Sequence, residues 1–163
     1  MLRRMMHKQI LFTLVALALL VSGSVRAADL TGTARVKNGR TLVVNGTTVE
    51  LYGIDAVELD QTCRTKRQKE FPCGHVAATA LATVVRNVQV NCHPEDSGGA
   101  VLKATCRGGP MDIAEQLVLQ GWAFADPVTG EKYRRAERAA RALNEGIWKG
   151  QFEFPWDWRK QHR

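Results

Sequence analysis

Two Asn-Gly dipeptides, Asn38-Gly39 and Asn45-Gly46, punctuate the stretch TARVKNGRTLVVNGTTVELYGI. Asn-Gly accepts the positive φ of a two-residue hairpin turn, and here β-branched residues flank both copies. The spacing predicts three meandering strands over 31–37, 40–45 and 47–53. A loop holding two cysteines follows. Ala77, Leu81, Val84, Val85 and Val88 then recur at helical spacing, which predicts a helix over 74–87. VQVNC and AVLKATC read as strands on either side of the turn Asp96-Ser97-Gly98-Gly99. MDIAEQLVLQGW predicts a short helix ending at Gly121. YRRAERAARALNEGIW predicts a longer one, with Tyr133, Ala136, Ala140 and Leu143 inward, Glu137 on the solvated face and Gly146 as C-cap. The order β-β-β-α-β-β-α-α predicts an α+β fold built on a five-stranded Greek-key barrel of the OB type.

The first 27 residues read as a targeting segment. A basic start, MLRRMMHKQ, precedes a 12-residue apolar run, ILFTLVALALLV. That run is short for a membrane span, and Val25 and Ala27 suit a signal-peptidase site. The expectation is a signal peptide over 1–27 and one domain over 28–163, in the periplasm or secreted; an uncleaved anchor is the alternative. Four cations and no acid lie in the segment, so Lys and Arg fall from 23 to 19 against 16 acids and the net charge from +7 to +3. The basic balance is then weak evidence for a nucleic-acid partner. All four cysteines, Cys63, Cys73, Cys92 and Cys106, lie in the mature part, and an even count in an exported chain points to two disulfides. Three connectivities exist. Local pairing, Cys63–Cys73 and Cys92–Cys106, is preferred. A zinc site is the rival, with no CxxC pair and only His93 beside a cysteine to recommend it.

VELYGIDAVE, then PCG-x-x-A-x-x-x-L, V-x-C, A-T-C, QGWAFA and GIW, together resemble the thermonuclease (staphylococcal nuclease-like) family, in its exported, cysteine-containing bacterial branch. The resemblance runs from about Thr33 to Trp158 and implies the OB barrel with three helices. It also implies calcium-dependent hydrolysis of DNA and RNA. In that chemistry two aspartates hold calcium, a glutamate acts on the attacking water and two arginines neutralise the phosphate. By resemblance, Asp55 matches one calcium aspartate and Glu58 the glutamate. The other three positions are lost. Arg40 stands for the first aspartate, Glu50 for the strand arginine, and Ala100 or Val101 for the arginine of a Tyr-Gly-Arg turn.

The expected protein is therefore nuclease-like with a degenerate site, inactive as a calcium-dependent nuclease and acting as a binding or structural module in the envelope. No cofactor or metal is expected. The alternative is an active exported nuclease with a site rearranged around Asp55 and Glu58, with calcium held through Asp55. An ion pair of Arg40 with Asp55 or Glu50 is expected across the former metal position. Arg64, Lys66, Arg67 and Lys69 form a candidate anion-binding run. Trp148, Phe152, Phe154, Trp156 and Trp158 are expected to pack as a tail over the domain, with a base-stacking platform as the alternative. His75 and His93 are assigned no role. The expected partners are an envelope protein, a polysaccharide or another polyanion, with weak nucleic-acid binding as a further reading, and the chain is expected to be a monomer.

Overall fold

The computed structural model describes residues 28–96 and 99–162. The segment expected to be a signal peptide lies outside them, as do Ser97 and Gly98 of the expected turn. In chain order the strands are β1 (Leu30–Gly32), β2 (Ala34–Asn38), β3 (Thr41–Val44), β4 (Thr47–Leu51), β5 (Ile54–Asp55), β6 (Cys63–Arg64) and β7 (Glu70–Phe71). Helix α1 (Cys73–Val84) precedes β8 (Val90–Asp96), β9 (Leu102–Gly108) and β10 (Met111–Asp112). Then come α2 (Ile113–Leu119), β11 (Phe124–Ala125), α3 (Arg134–Leu143) and α4 (Pro155–Gln161), with 3-10 turns at Glu131–Tyr133 and Gly146–Lys149.

The main sheet runs β1-β8-β9-β4-β3-β2, with β10 added to β9. Its two end strands are consecutive in the chain and separated by Thr33 alone, so the sheet curls on itself and remains open at that seam. The strand expected over 31–37 is thus two strands, one at each edge. Asn45 Nδ2 donates to the Thr31 carbonyl at 2.6 Å and spans the seam. It can do so because Asn45-Gly46 forms the expected hairpin turn, with φ of 46° and 82°. Asn38-Gly39 behaves differently: a register shift falls between Val36 and Asn38, and neither Asn38 nor Gly39 takes a positive φ. β4 joins β9 in parallel register, setting Glu50 opposite Lys103. The expected OB-type β-structure with helices is present, carried by a mixed sheet of more strands than five that does not close into a barrel.

Two cores result. Leu42, Val44, Val49, Leu51, Val90 and Ala104 of the sheet meet Leu81 of α1, Ile113 and Leu117 of α2, and Tyr133. Each fully buried aliphatic side chain contributes about 1.5–3 kcal/mol. The Tyr133 hydroxyl is satisfied by the Asp112 carboxylate, 3.2 Å from both its oxygens. Asp112 also caps α2 by accepting from the Glu115 amide. A second core joins Val57, Cys63, Cys73, Ala77, Phe124 and Ile147 to the aromatic tail. Phe124, fully buried, lies 5.3–5.4 Å from the rings of Trp148, Phe152 and Phe154. The tail packs through Trp148, Phe152, Phe154 and Trp156, whereas Trp158 stacks on His162 and is not part of that core. After Phe154 the chain turns into α4, with Pro155 in its first turn, where a missing amide costs nothing.

Both expected disulfides are present. Cys92 and Cys106 are direct partners in the β8–β9 ladder, and Cys63–Cys73 closes the loop before α1. Three expectations for α3 fail. Leu143 is 70% exposed, because the helix stops there and Asn144, left-handed at φ 53°, turns the chain away. Asn144 is therefore the C-cap in place of Gly146. Glu137, expected in solvent, is buried, where its carboxylate accepts the Ala125 amide at 3.2 Å and pairs with Arg141 at 3.3 Å.

Candidate functional site

Asp55 ends β5, which pairs with β11 so that Asp55 lies opposite Phe124. This pairing holds the carboxylate at the boundary between the two cores, with its side chain only 7% exposed. The chain then leaves the strand through Ala56 and Val57, both buried, and presents Glu58 beside it. Gln61, itself buried, fastens this loop. Its Oε1 accepts the Glu58 amide at 3.1 Å, and its Nε2 donates to the Glu153 carbonyl in the tail at 2.8 Å.

Two guanidiniums close on the carboxylates. Arg40 follows the Asn38-Gly39 turn, where the Asn38 side chain accepts the Arg40 amide at 3.0 Å. Its Nη1 lies 3.1 Å from Asp55 Oδ1 and 3.1 Å from Glu58 Oε1. Arg159 arrives from α4. Its Nη2 reaches Asp55 Oδ2 at 2.6 Å, and its Nη1 reaches Glu58 Oε1 at 2.6 Å and Asp55 Oδ1 at 3.2 Å. Two positive and two negative groups thus form one compact, mostly buried cluster. Charge-assisted bonds of this length are the strong kind. Burial pushes the Glu58 carboxyl up, but the bond from Arg159 and the charge of Arg40 outweigh it and hold the group below its ordinary value. The bonds to Asp55 and Glu58 hold Arg159 above its ordinary value against the opposing effect of burial.

The expected pairing of Arg40 is therefore found with Asp55, and with Glu58 instead of Glu50. Glu50 lines the same cleft, together with Lys103, Asp126 and Thr129. Asp126 accepts the amides of Val128 and Thr129 and the Thr129 hydroxyl at 2.8–2.9 Å. Burial raises its carboxyl, and these bonds more than offset that, leaving it below its ordinary value. Val101 precedes β9, carries no charge and is not among the cleft's lining residues. The basic run is not part of this site. Arg64 pairs with Glu70 at 2.9 Å, while Lys66, Arg67 and Lys69 line a separate basin with Lys149. His75 is exposed, and His93 contacts Asp29 at 2.8 Å.

Arg159 and Gln61 escaped the sequence reading. Arg159 is 104 residues from Asp55, and no spacing rule connects them. The available signal was indirect: an arginine at the end of a tail whose aromatic residues anchor it to the domain.

A family model described as staphylococcal nuclease homologue matches residues 48–150. The chain is 30% identical to the succinoglycan biosynthesis protein ExoI of Rhizobium meliloti, over 85% of this chain and 75% of that protein. It is 31% identical to the probable staphylococcal-like nuclease CAN2 of Oryza sativa subsp. japonica, over 71% of this chain and 30% of that one. The probable endonuclease LCL3 of Paracoccidioides lutzii is 28% identical over 71% of this chain and 37% of its own length. The chain thus spans about a third of its plant and fungal relatives.

Proposed function

We propose that this chain, which belongs to the staphylococcal nuclease homologue family, is a disulfide-bonded binding or structural module outside the cytoplasm that lacks calcium-dependent phosphodiesterase activity. The two disulfides support an oxidising compartment. Among the described residues no helix is long and apolar enough to cross a membrane.

One observation carries the reading of inactivity: Arg40 and Arg159 occupy the carboxylate oxygens that a metal would need. Calcium takes six to eight oxygen ligands. Here only Asp55 and Glu58 converge, both already bonded to guanidiniums, and no cluster of three His, Cys, Asp or Glu side chains among the described residues could hold a metal. Two unit charges 4 Å apart repel by about 4 kcal/mol at an effective dielectric of 20. A divalent ion doubles that against each arginine. The residues do not fit the ion, so no catalytic step is derived through it. A phosphodiester would fare no better. Catalysis of its cleavage depends on positioned positive charge, and an arginine aimed at the transition state is worth about 10³–10⁵ in rate. Glu50 presents the opposite sign in the cleft, and both arginines at the centre are spent on carboxylates. Arg40 and Arg159 lie outside the span the family model matches, so the family match alone does not account for the clamp. One relative is named for succinoglycan biosynthesis and not for cleavage of nucleic acid, which accords with a family framework put to other uses.

The test is digestion of DNA and RNA in millimolar calcium and in chelator, with the natural chain and Glu58→Gln. No cleavage above background is expected in either. Calcium-dependent cleavage abolished by Glu58→Gln would establish instead an active nuclease with a rearranged centre.

A further inference from the structure

Residues 63–71 form a short hairpin, β6 against β7, tied at its base by Cys63–Cys73. Its tip is a tight turn. The Thr65 amide donates to the Lys69 carbonyl at 2.9 Å, the Gln68 amide donates to the Thr65 carbonyl at 2.9 Å, and Gln68 is left-handed at φ 60°. The 3-10 turn Gly146–Lys149 is fastened to the hairpin's flank by paired backbone bonds between Arg64 and Gln151 of 2.7 and 2.8 Å. Gly150 lies so close that a Cβ there would sit 2.1 Å from the Arg64 carbonyl oxygen. This places Lys149 across from Lys66, Arg67 and Lys69, and the four cations line one shallow basin with Thr65. Arg64 is neutralised by Glu70, and Lys149 lies 3.6 Å from Glu145. Lys66, Arg67 and Lys69 have no ion-pair partner among the described residues. The basin's exposed lining is almost wholly apolar, which in these residues means aliphatic stems and the Thr65 methyl. An adjoining hollow shares Thr65 and Lys149 and adds the half-buried Phe71 and Trp122.

We propose that this hairpin, with Lys149, binds an anionic polysaccharide whose sugar rings carry carboxylates. The site joins ammonium groups to a carbon-lined floor on a scaffold already rigid, so little ordering cost falls on binding. Pyranose rings present C–H faces that suit such a floor and the neighbouring Trp122. Their carboxylates and hydroxyls suit lysine, a point charge with three rotatable donors. Single-stranded nucleic acid is the less suitable polyanion. Its binders stack successive bases on aromatic faces, and no ring lines the basin between the cations. The site shares no lining residue with the cleft at Asp55.

The experiment measures binding of size-defined polygalacturonate, neutral dextran and a single-stranded oligonucleotide at low and moderate salt. The chains are the natural one, Lys66→Gln/Lys69→Gln, Lys149→Gln and Arg86→Gln, with folding checked by circular dichroism. Polygalacturonate should bind and weaken with salt. The double substitution should lower affinity about tenfold and Lys149→Gln about threefold, as expected for losing exposed charge contacts. Arg86, a cation lining a different hollow, should be replaceable without effect. Dextran should not bind. Absence of polygalacturonate binding at low salt would overturn the assignment, as would an equal loss in Arg86→Gln, which would reduce it to net charge. Tighter oligonucleotide binding through the same lysines would overturn it in favour of nucleic acid.

Discussion

Arg159 with Asp55 and Arg64 with Glu70 are the same chemical pair at similar distances, 2.6 and 2.9 Å. Their settings differ. The Asp55 side chain is 7% exposed and Arg159 32%, whereas Arg64 and Glu70 are 55% and 62% exposed. Water screens the surface pair and competes for its donors, so such pairs contribute little. In the buried cluster water has less access, and each charge depends more on its partners. Removing one partner strands the others, which is costly even where the intact set contributes little net stability. Distance alone does not rank the two regions; burial does.

The largest effect should come from breaking the buried set at its centre. Asp55→Ala leaves two guanidiniums sharing one carboxylate and should cost about 3–5 kcal/mol in urea denaturation. A cost below about 1 kcal/mol would mean that the cluster is hydrated and the contrast unfounded. Arg159→Ala should cost less, about 1–3 kcal/mol, because Arg40 still serves both carboxylates and α4 keeps its aromatic anchors. Tryptophan fluorescence of this variant should remain native-like.

Acid sharpens the comparison further. Glu58 titrates below its ordinary value of 4.5 in the folded chain. A depressed carboxylate contributes stability that is present in full above its unfolded value and is lost as pH falls through the folded one. Stability should therefore decline below about pH 4.5, and Glu58→Gln should flatten that decline while lowering stability at neutral pH. An unchanged acid limb would remove Glu58 from the cluster's energetics. The smallest effect belongs to the surface pair. Arg64→Ala should change stability by less than about 1 kcal/mol, and less still in salt.

Local physics made much of the chain legible. Asn45-Gly46 specified its hairpin because few other dipeptides accept positive φ at both central positions. Tyr133, Ala136 and Ala140 were correctly placed inward by helical spacing. Cys92 and Cys106 were paired correctly because they fall on neighbouring antiparallel strands close together in the chain. Leu143 and Glu137 were misplaced for one reason. Periodicity gives the direction a side chain faces, whereas the place where neighbouring elements end decides what it meets. Leu143, at the end of α3, is left largely exposed, and Glu137 meets the amide of Ala125.

By itself the sequence determined the order of the principal strands and the first three helices, the preferred disulfide pairing, and the family framework with Asp55 and Glu58 side by side, all of which depend on short-range geometry or on an ordered set of motifs. Only the tertiary structure decided that Arg159 closes the carboxylate pair, that β1 and β2 sit at opposite edges of a curled sheet, and that Lys149 faces the basic hairpin. Each of these is a contact between segments far apart in the chain. Such contacts are selected by the packing of whole elements, here the aromatic tail folding over Phe124, and no residue spacing encodes them.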